Sequence, residues 1–567
     1  MIDRRTLLKG LAAAATLPTL AGCSGRNDAA GANDEDLSDT ILYRLKTPQS
    51  IDPFDADAAG LAVVSQLFDP LMRYDFTTNE LACCVAESVE VNEDATAFTF
   101  RLRSGLAFSN GDTVDAASFK RAWERLIDPD SASARLYESS PWAYLLTLVQ
   151  GYDALSTGTA GELSGAICPD ELTLQVALSR PYADFPLLCA HPALSPVPVS
   201  AVEDAEAFHA CPIGNGAFSL VDAWDGKDAL ALKRAERYVD PISTGAVPES
   251  DSSSGAVESE PIASVRFIFD DDSSSAYKRF EAGDLDVAEV PVEQLENAED
   301  VFGPHVDGFA LTGGKHVLST PEPTVVFLTC NISEPPLDNA DVRRALSLAI
   351  DREALCDKVY RGAGVPVANI VPPCIATDGD TSWPYAVYDP DWAKQYLELH
   401  YPAAEDGSRE LEIAIACSKD GTDAKLLDAI AADMKAVGVT VKTEAIDWGE
   451  LVARFRTGDF ACGLTGWTPD APSLDGVLYP LFRSGVAAAG NYARYVDTEV
   501  DAALDEARAV TDTAARRQAL SRALRIVGEA NPVIPLVVPV RTVATSDRVA
   551  SLAIDPYGRP DLASATF

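Results

Sequence analysis

The residues able to carry covalent, metal or nucleophilic chemistry are few: eleven cysteines, five histidines and three methionines among 567 residues. His191, His209, His305, His316 and His400 are scattered without ligand spacing, and no C-x-x-C occurs. Imidazole and soft sulfur donors are too sparse and too dispersed for a dedicated metal centre. There is no G-x-S-x-G elbow, no G-x-x-x-x-G-K phosphate loop and no H-E-x-x-H. Gly214-Asn-Gly216 and Gly362-Ala-Gly364 lack the third spaced glycine of a dinucleotide site. Catalytic signatures are therefore absent, no cofactor and no metal are expected, and the expectation is that the chain is not an enzyme. Apart from Cys23, the cysteines are even in number, which permits disulfides in an oxidising compartment. Cys330 (in Val-Val-Phe-Leu-Thr-Cys) and Cys417 (in Ile-Ala-Ile-Ala-Cys) sit in apolar runs, where a buried thiol is the alternative. No pairing is assignable from the sequence.

Cys23 has its own chemistry. Asp3, Arg4, Arg5 and Lys9 precede an apolar run from Leu11 to Ala21, too short to span a bilayer. Arg4-Arg5 followed by Leu7 and Leu8 resembles a twin-arginine export signal. Leu20-Ala-Gly-Cys23 resembles a bacterial lipobox, in which Cys23 becomes the acylated mature N-terminus. Residues 1–22 read as signal peptide and 23–35 as a flexible tether, rich in Gly, Ala, Asn, Asp and Ser. The expected place is the outer face of the cytoplasmic membrane, periplasmic or extracellular, with lipid as the only membrane contact.

The body is globular by composition, 47% hydrophobic and 23% charged, and long enough for several cores. A formal charge of −42 makes nucleic acid an unsuitable partner, because a phosphate backbone is repelled. Phe98, Phe100 and Leu102 alternate with Thr99, Arg101 and Arg103 as a half-buried strand. Asp115 is placed to cap a helix striped by Phe119, Ala122, Trp123 and Leu126. Asp351 caps another, which Gly362 closes. Residues 243–260 are low-complexity and acidic, a solvated insertion between strands at 229–233 and 265–269. Strands alternate with helices throughout, so sheets should be parallel or mixed.

Five blocks in order carry a family resemblance. They are Gln49-Ser-Ile-Asp-Pro53 with Leu67-Phe-Asp-Pro-Leu71; Phe98 through Gly111 running to Trp123-Glu-Arg125; Ile213-Gly-Asn-Gly-Ala-Phe218; Phe280-Glu-Ala-Gly-Asp-Leu-Asp-Val287; and Pro335 through Arg352. The chain resembles the oligopeptide/dipeptide-binding lipoproteins of peptide ABC importers, extracellular solute-binding protein family 5. That resemblance implies an α/β, two-lobe periplasmic-binding-protein-like fold with a hinge and an additional α+β domain on the first lobe. Lobe I would take residues 36–78, 196–318 and 536–567, the additional domain 79–195, and lobe II 319–535. It implies a monomer that captures peptide between closing lobes and passes it to the transmembrane permease subunits.

By the same resemblance Asp470, three residues beyond Trp467, would accept the ligand's α-ammonium. The backbone at Leu464, Gly466 and Trp467 would pair strand-like with the peptide, and Trp448 would wall a side-chain pocket. Asp57 and Tyr137 are further candidates from the opening loop and from the segment after the Trp123 helix. Leu464 is apolar where oligopeptide binders carry an arginine for the ligand carboxylate; Arg454 and Arg456 are nearby substitutes. The same fold holding a sugar, haem or nickel chelate is the alternative, with an exported enzyme a more distant one.

Overall fold

A computed structural model describes residues 37–76, 78, 80–241, 261–311, 313–376, 382–419, 421–486 and 490–567. The export signal, Cys23, the tether and the 243–260 insertion lie outside the described residues. The folded body runs from Asp39 to Phe567.

One large mixed sheet organises the body. The Thr40–Leu45 strand pairs in parallel with Ser264–Phe269, which pairs antiparallel with Ala229–Arg234. The two strands flanking the low-complexity stretch are thus direct neighbours. At the other end Cys462–Trp467 lies between Val325–Cys330, antiparallel, and Glu412–Ser418, parallel. Glu412–Ser418 then pairs in parallel with Thr440–Ile446, the βαβ unit that the strand–helix alternation implied. The long Val533–Thr545 strand joins the halves. Its first part pairs with Val325–Cys330 and Gly364–Pro366, its last part with Val287–Glu289 and Val317–Pro321.

A separate antiparallel sheet holds Ala86–Val91, Ala97–Leu102, Thr173–Ala177 and Ala166–Asp170. Phe98, Phe100 and Leu102 face inward and Arg101 outward, as the alternation requires. The Ala116–Ile127 helix packs on this sheet. Asp115 caps it by accepting from the Ser118 N–H at 2.8 Å, with the Ser118 hydroxyl completing a capping box. Trp123 is buried on its apolar face and donates to the Leu194 carbonyl at 3.1 Å. Burying a side chain of this size stabilises the fold by about 1.5–3 kcal/mol.

Beneath this layer, Arg125 donates to Asp52 at 2.7 Å, both side chains almost inaccessible. The guanidinium also lies 5.1 and 5.2 Å from the rings of Phe54 and Phe208. Two further large cores flank the other half of the main sheet, one around Leu328, Leu346 and Ile430, the other around Phe327, Leu478 and Leu524.

Asp351 caps its helix, but the sequence reading of that helix needs revision. Only Arg352–Leu355 is α-helical, and Cys356–Tyr360 continues as a π turn. The chain leaves through two left-handed residues, Arg361 (φ 50°) and Gly362 (φ 91°). The ten body cysteines are free thiols, seven of them buried, so apolar packing decided their environment.

Candidate ligand-binding site

The Cys462–Trp467 strand has one paired edge and one edge that is partly open. Asn331 N–H donates to the Ala461 carbonyl at 2.9 Å. In an antiparallel ladder, hydrogen-bonded and non-hydrogen-bonded pairs alternate. The register therefore turns the N–H and C=O of residues 463, 465 and 467 toward Val325–Cys330. Those of Leu464 and Gly466 point the other way. On that side the Glu412–Ser418 strand pairs only with Cys462 and Gly463. The bridge at Gly463 is made by the flanking Cys462 C=O and Leu464 N–H, so the Leu464 C=O and the Gly466 N–H and C=O form a backbone ledge with no strand against it among the described residues, while the Leu464 side chain is fully buried in the core beneath.

The ledge leads into a tight turn. Trp467 donates its indole N–H to the Gly476 carbonyl at 2.9 Å, and Gly476 N–H is held by the Ser473 hydroxyl at 3.0 Å. Tyr557 Oη donates to the Pro469 carbonyl at 2.8 Å. These bonds from both sides fix Asp470, which is half-buried. Tyr144 Oη donates to Asp470 Oδ1 at 2.6 Å. Desolvation pushes the Asp470 carboxyl above the ordinary aspartate range, and the Tyr144 hydrogen bond opposes that shift. Among the described residues no Lys, Arg or His pairs with it. Asp475, five residues on, contrasts: Arg508 grips it at 2.8 Å.

That second pair anchors a segment of the same chain region that carries Tyr144. Arg508 lies 4.8 Å from the ring of Tyr182 and 3.2 Å from that of Tyr479. Ala183 N–H donates to the Arg508 carbonyl at 2.8 Å, and Arg516 reaches Asp184 at 3.4 Å. The 182–184 segment is thereby docked on the helices Asp475–Phe482, Thr498–Ala509 and Thr513–Ala530.

Asp470 stands on the wall of a cavity of about 530 Å³. Its other walls come from residues 65–76, 187–192, Tyr238, Phe309 and 553–563. Phe68, Phe76, Phe309 and Tyr557 supply apolar surface, and Phe76 packs at 5.8 Å on Phe309. Two arginines line it, each already paired: Arg73 with Asp69 at 2.6 Å and Arg559 with Asp555 at 2.6 Å. His191 is buried beside Arg559, and desolvation followed by that charge lowers its pKa to about 3.

The remaining sequence candidates stand elsewhere. Trp448 opens the Trp448–Thr457 helix, is half exposed and does not line the cavity. Asp57 caps the Ala58–Leu67 helix through Gly60 N–H at 2.9 Å. Tyr137 stacks on His209 with ring centroids 3.8 Å apart. Arg454 is held by Glu444 at 2.9 Å and Glu450 at 2.6 Å. Tyr144 and Tyr557 went unnoticed in the sequence. Neither lies in a distinctive motif, and each meets its partner only through the fold.

A family model described as bacterial extracellular solute-binding proteins, family 5 middle, matches residues 80–489. The chain belongs to this family. It is 26% identical over 517 residues to the oligopeptide-binding protein OppA of Bacillus subtilis, covering 89% of this chain and 88% of that one. It is 26% identical over 526 residues to the glutathione-binding protein GsiB of Escherichia coli O1:K1, covering 89% and 90%. Haemophilus influenzae OppA, solved in complex with the peptide RPPGFSPFR, superposes with a TM-score of 0.65 at 25% identity, covering 93% of this chain and 98% of that one. The fold is that of the family 5 periplasmic binding proteins, and the protein is a solute-binding protein for peptides or related ligands. Family 5 proteins are extracellular or periplasmic. Among the described residues no helix is long and apolar enough to cross a membrane.

Proposed function

We propose that this chain is a lipid-anchored receptor that captures peptides between two closing lobes and delivers them to the permease of an ABC importer. The observation that carries the reading is Asp470, a desolvated carboxylate without a cationic partner among the described residues, on the cavity wall four residues beyond Gly466; Leu464, Gly466 and Trp467 do not themselves line that cavity. An α-ammonium is the partner it lacks, and a charge-assisted hydrogen bond in a half-buried setting is strong. The Leu464 C=O and the Gly466 backbone can pair with an extended peptide whatever its side chains, with Trp467 bracing the turn. OppA and GsiB, whose names specify oligopeptide and glutathione, point to the same ligand class.

In this reading lobe I comprises residues 36–78, 196–318 and 536–567, the additional domain 79–195, and lobe II 319–535. Closure bends the chain where the sheet halves meet, between Pro321 and Val325 and along Val533–Thr545. Cys23 carries the lipid and holds the body at the outer face of the cytoplasmic membrane. Native mass spectrometry of protein purified from its own cells tests this. Co-purified peptides are expected. A sugar, haem or nickel complex in their place would refute the peptide reading and leave the family assignment intact.

A further inference from the structure

Cysteine count and spacing permit disulfides but name no pair. The register of the main sheet sets two cysteines opposite each other. Cys330 ends the Val325–Cys330 strand, Cys462 opens the Cys462–Trp467 strand, and the antiparallel ladder pairs them. Hydrogen bonds define the kind of pair. Asn331 N–H donates to the Ala461 carbonyl at 2.9 Å, whereas Cys330 N–H points away from Cys462 and donates to the Pro532 carbonyl at 3.1 Å. Cys330 and Cys462 are therefore a non-hydrogen-bonded pair, the type whose Cα atoms stand about 4.5 Å apart with both side chains on one face. A disulfide spans Cα separations of about 4.4–6.8 Å, so the bond needs no change of register. In this structure both are thiols, fully buried in the core that holds Leu328 and Leu464. A hydrogen bond from Cys330, followed by burial, pushes the Cys462 thiol well above the ordinary cysteine range.

We infer that Cys330 and Cys462 become joined by a disulfide in the exported protein, stapling the strand that carries the ledge to its neighbour. Family 5 proteins are extracellular or periplasmic, where such bonds form and persist. The co-reactant is a disulfide oxidant, either of low molecular weight or protein-borne. One cysteine thiolate attacks a sulfur of the oxidant and expels a thiolate. The other cysteine attacks the mixed disulfide, closes the Cys330–Cys462 bond and expels the second thiolate. Two electrons pass to the oxidant, and the two protons lost by the cysteines end on its two thiols. Buried thiols are inert, so the exchange belongs to the folding chain, before the core closes. The same burial then shields the finished bond from reductants. It closes a loop of about 130 residues and restricts the unfolded chain accordingly. The inference is independent of the peptide reading and of Asp470.

The test takes the protein from its own cells, trapped with iodoacetamide at harvest, unfolded in guanidinium with more iodoacetamide, digested and mapped by mass spectrometry. A peptide linked through Cys330 and Cys462 is expected. It should survive dithiothreitol under native conditions and vanish when dithiothreitol and denaturant act together. Recovery of both residues as alkylated thiols, or of either in a different disulfide, overturns the assignment. Protein reduced in denaturant and refolded without oxidant should melt about 5 °C or more below the oxidised form. An unchanged melting temperature overturns the stapling role. In Cys330→Ala, Cys462 should become alkylatable once the chain is unfolded, and finding it bridged elsewhere counts against the pairing. The wild-type map decides the matter even where that variant does not fold.

Discussion

Asp470→Asn keeps the shape of the side chain and removes its charge. Tyr144 can still donate to the remaining oxygen, so the turn held by Trp467 and Tyr557 is expected to persist. What disappears is the attraction for an ammonium. At about 3 Å and an effective dielectric near 20 that attraction is roughly 5 kcal/mol before desolvation. Truncating one partner of a hydrogen-bonded charge pair costs about 2–5 kcal/mol, and the half-exposure of Asp470 argues for the lower part, about 2–4 kcal/mol. The expected loss of affinity is then roughly 30- to 1000-fold. Calorimetry with one peptide, free and N-acetylated, against both proteins reads it. Acetylation should weaken binding to wild type and change little in the variant, because the interaction is already gone.

The pH dependence follows in sign. Desolvation holds the free carboxyl above the usual aspartate value, so wild-type affinity falls as the pH drops through that raised pKa. Asp470→Asn should abolish this slope. Equal damage by acetylation in both proteins, or a loss below threefold in the variant, would refute the role of Asp470.

Asp52→Ala leaves the buried Arg125 guanidinium unpaired between Phe54 and Phe208, and should cost about 3–5 kcal/mol in chemical denaturation. His191 has a folded-state pKa lowered to about 3, so its contribution to stability is complete above the unfolded value of 6.5 and is lost as the pH falls. Between pH 6.5 and 5.5 this amounts to about 1 kcal/mol, and His191→Gln should flatten that part of the melting-temperature profile. Cys23→Ala should free the body from membranes without changing peptide affinity, checked by fractionation and calorimetry. Deleting residues 243–260, whose composition reads as a solvated insertion, should shift the melting temperature little, because loop length alters closure entropy only weakly; a large drop would refute that reading.

Features set by neighbours within a few residues were legible in the amino-acid order. Asp115 caps its helix, Phe98, Phe100 and Leu102 share the inner face of their strand, and Gly362 ends a helical segment, because capping and pleating act over one to four positions. The blocks that resemble the peptide-binding lipoproteins anticipated the family and singled out Asp470. The surroundings of that aspartate were not legible. Tyr144 lies 326 positions away in the chain and meets Asp470 only through the fold, in which Tyr182 and Asp184 also dock on arginines of two distant helices. The open ledge exists because the neighbouring strand pairs no further than Gly463, a matter of register between segments some fifty residues apart. Which aspartate each arginine reaches, Arg73 to Asp69 and Arg559 to Asp555, is likewise set by the fold. Composition and spacing give the inventory of charges, but Coulomb interactions fall with distance, and only the tertiary structure sets the distances.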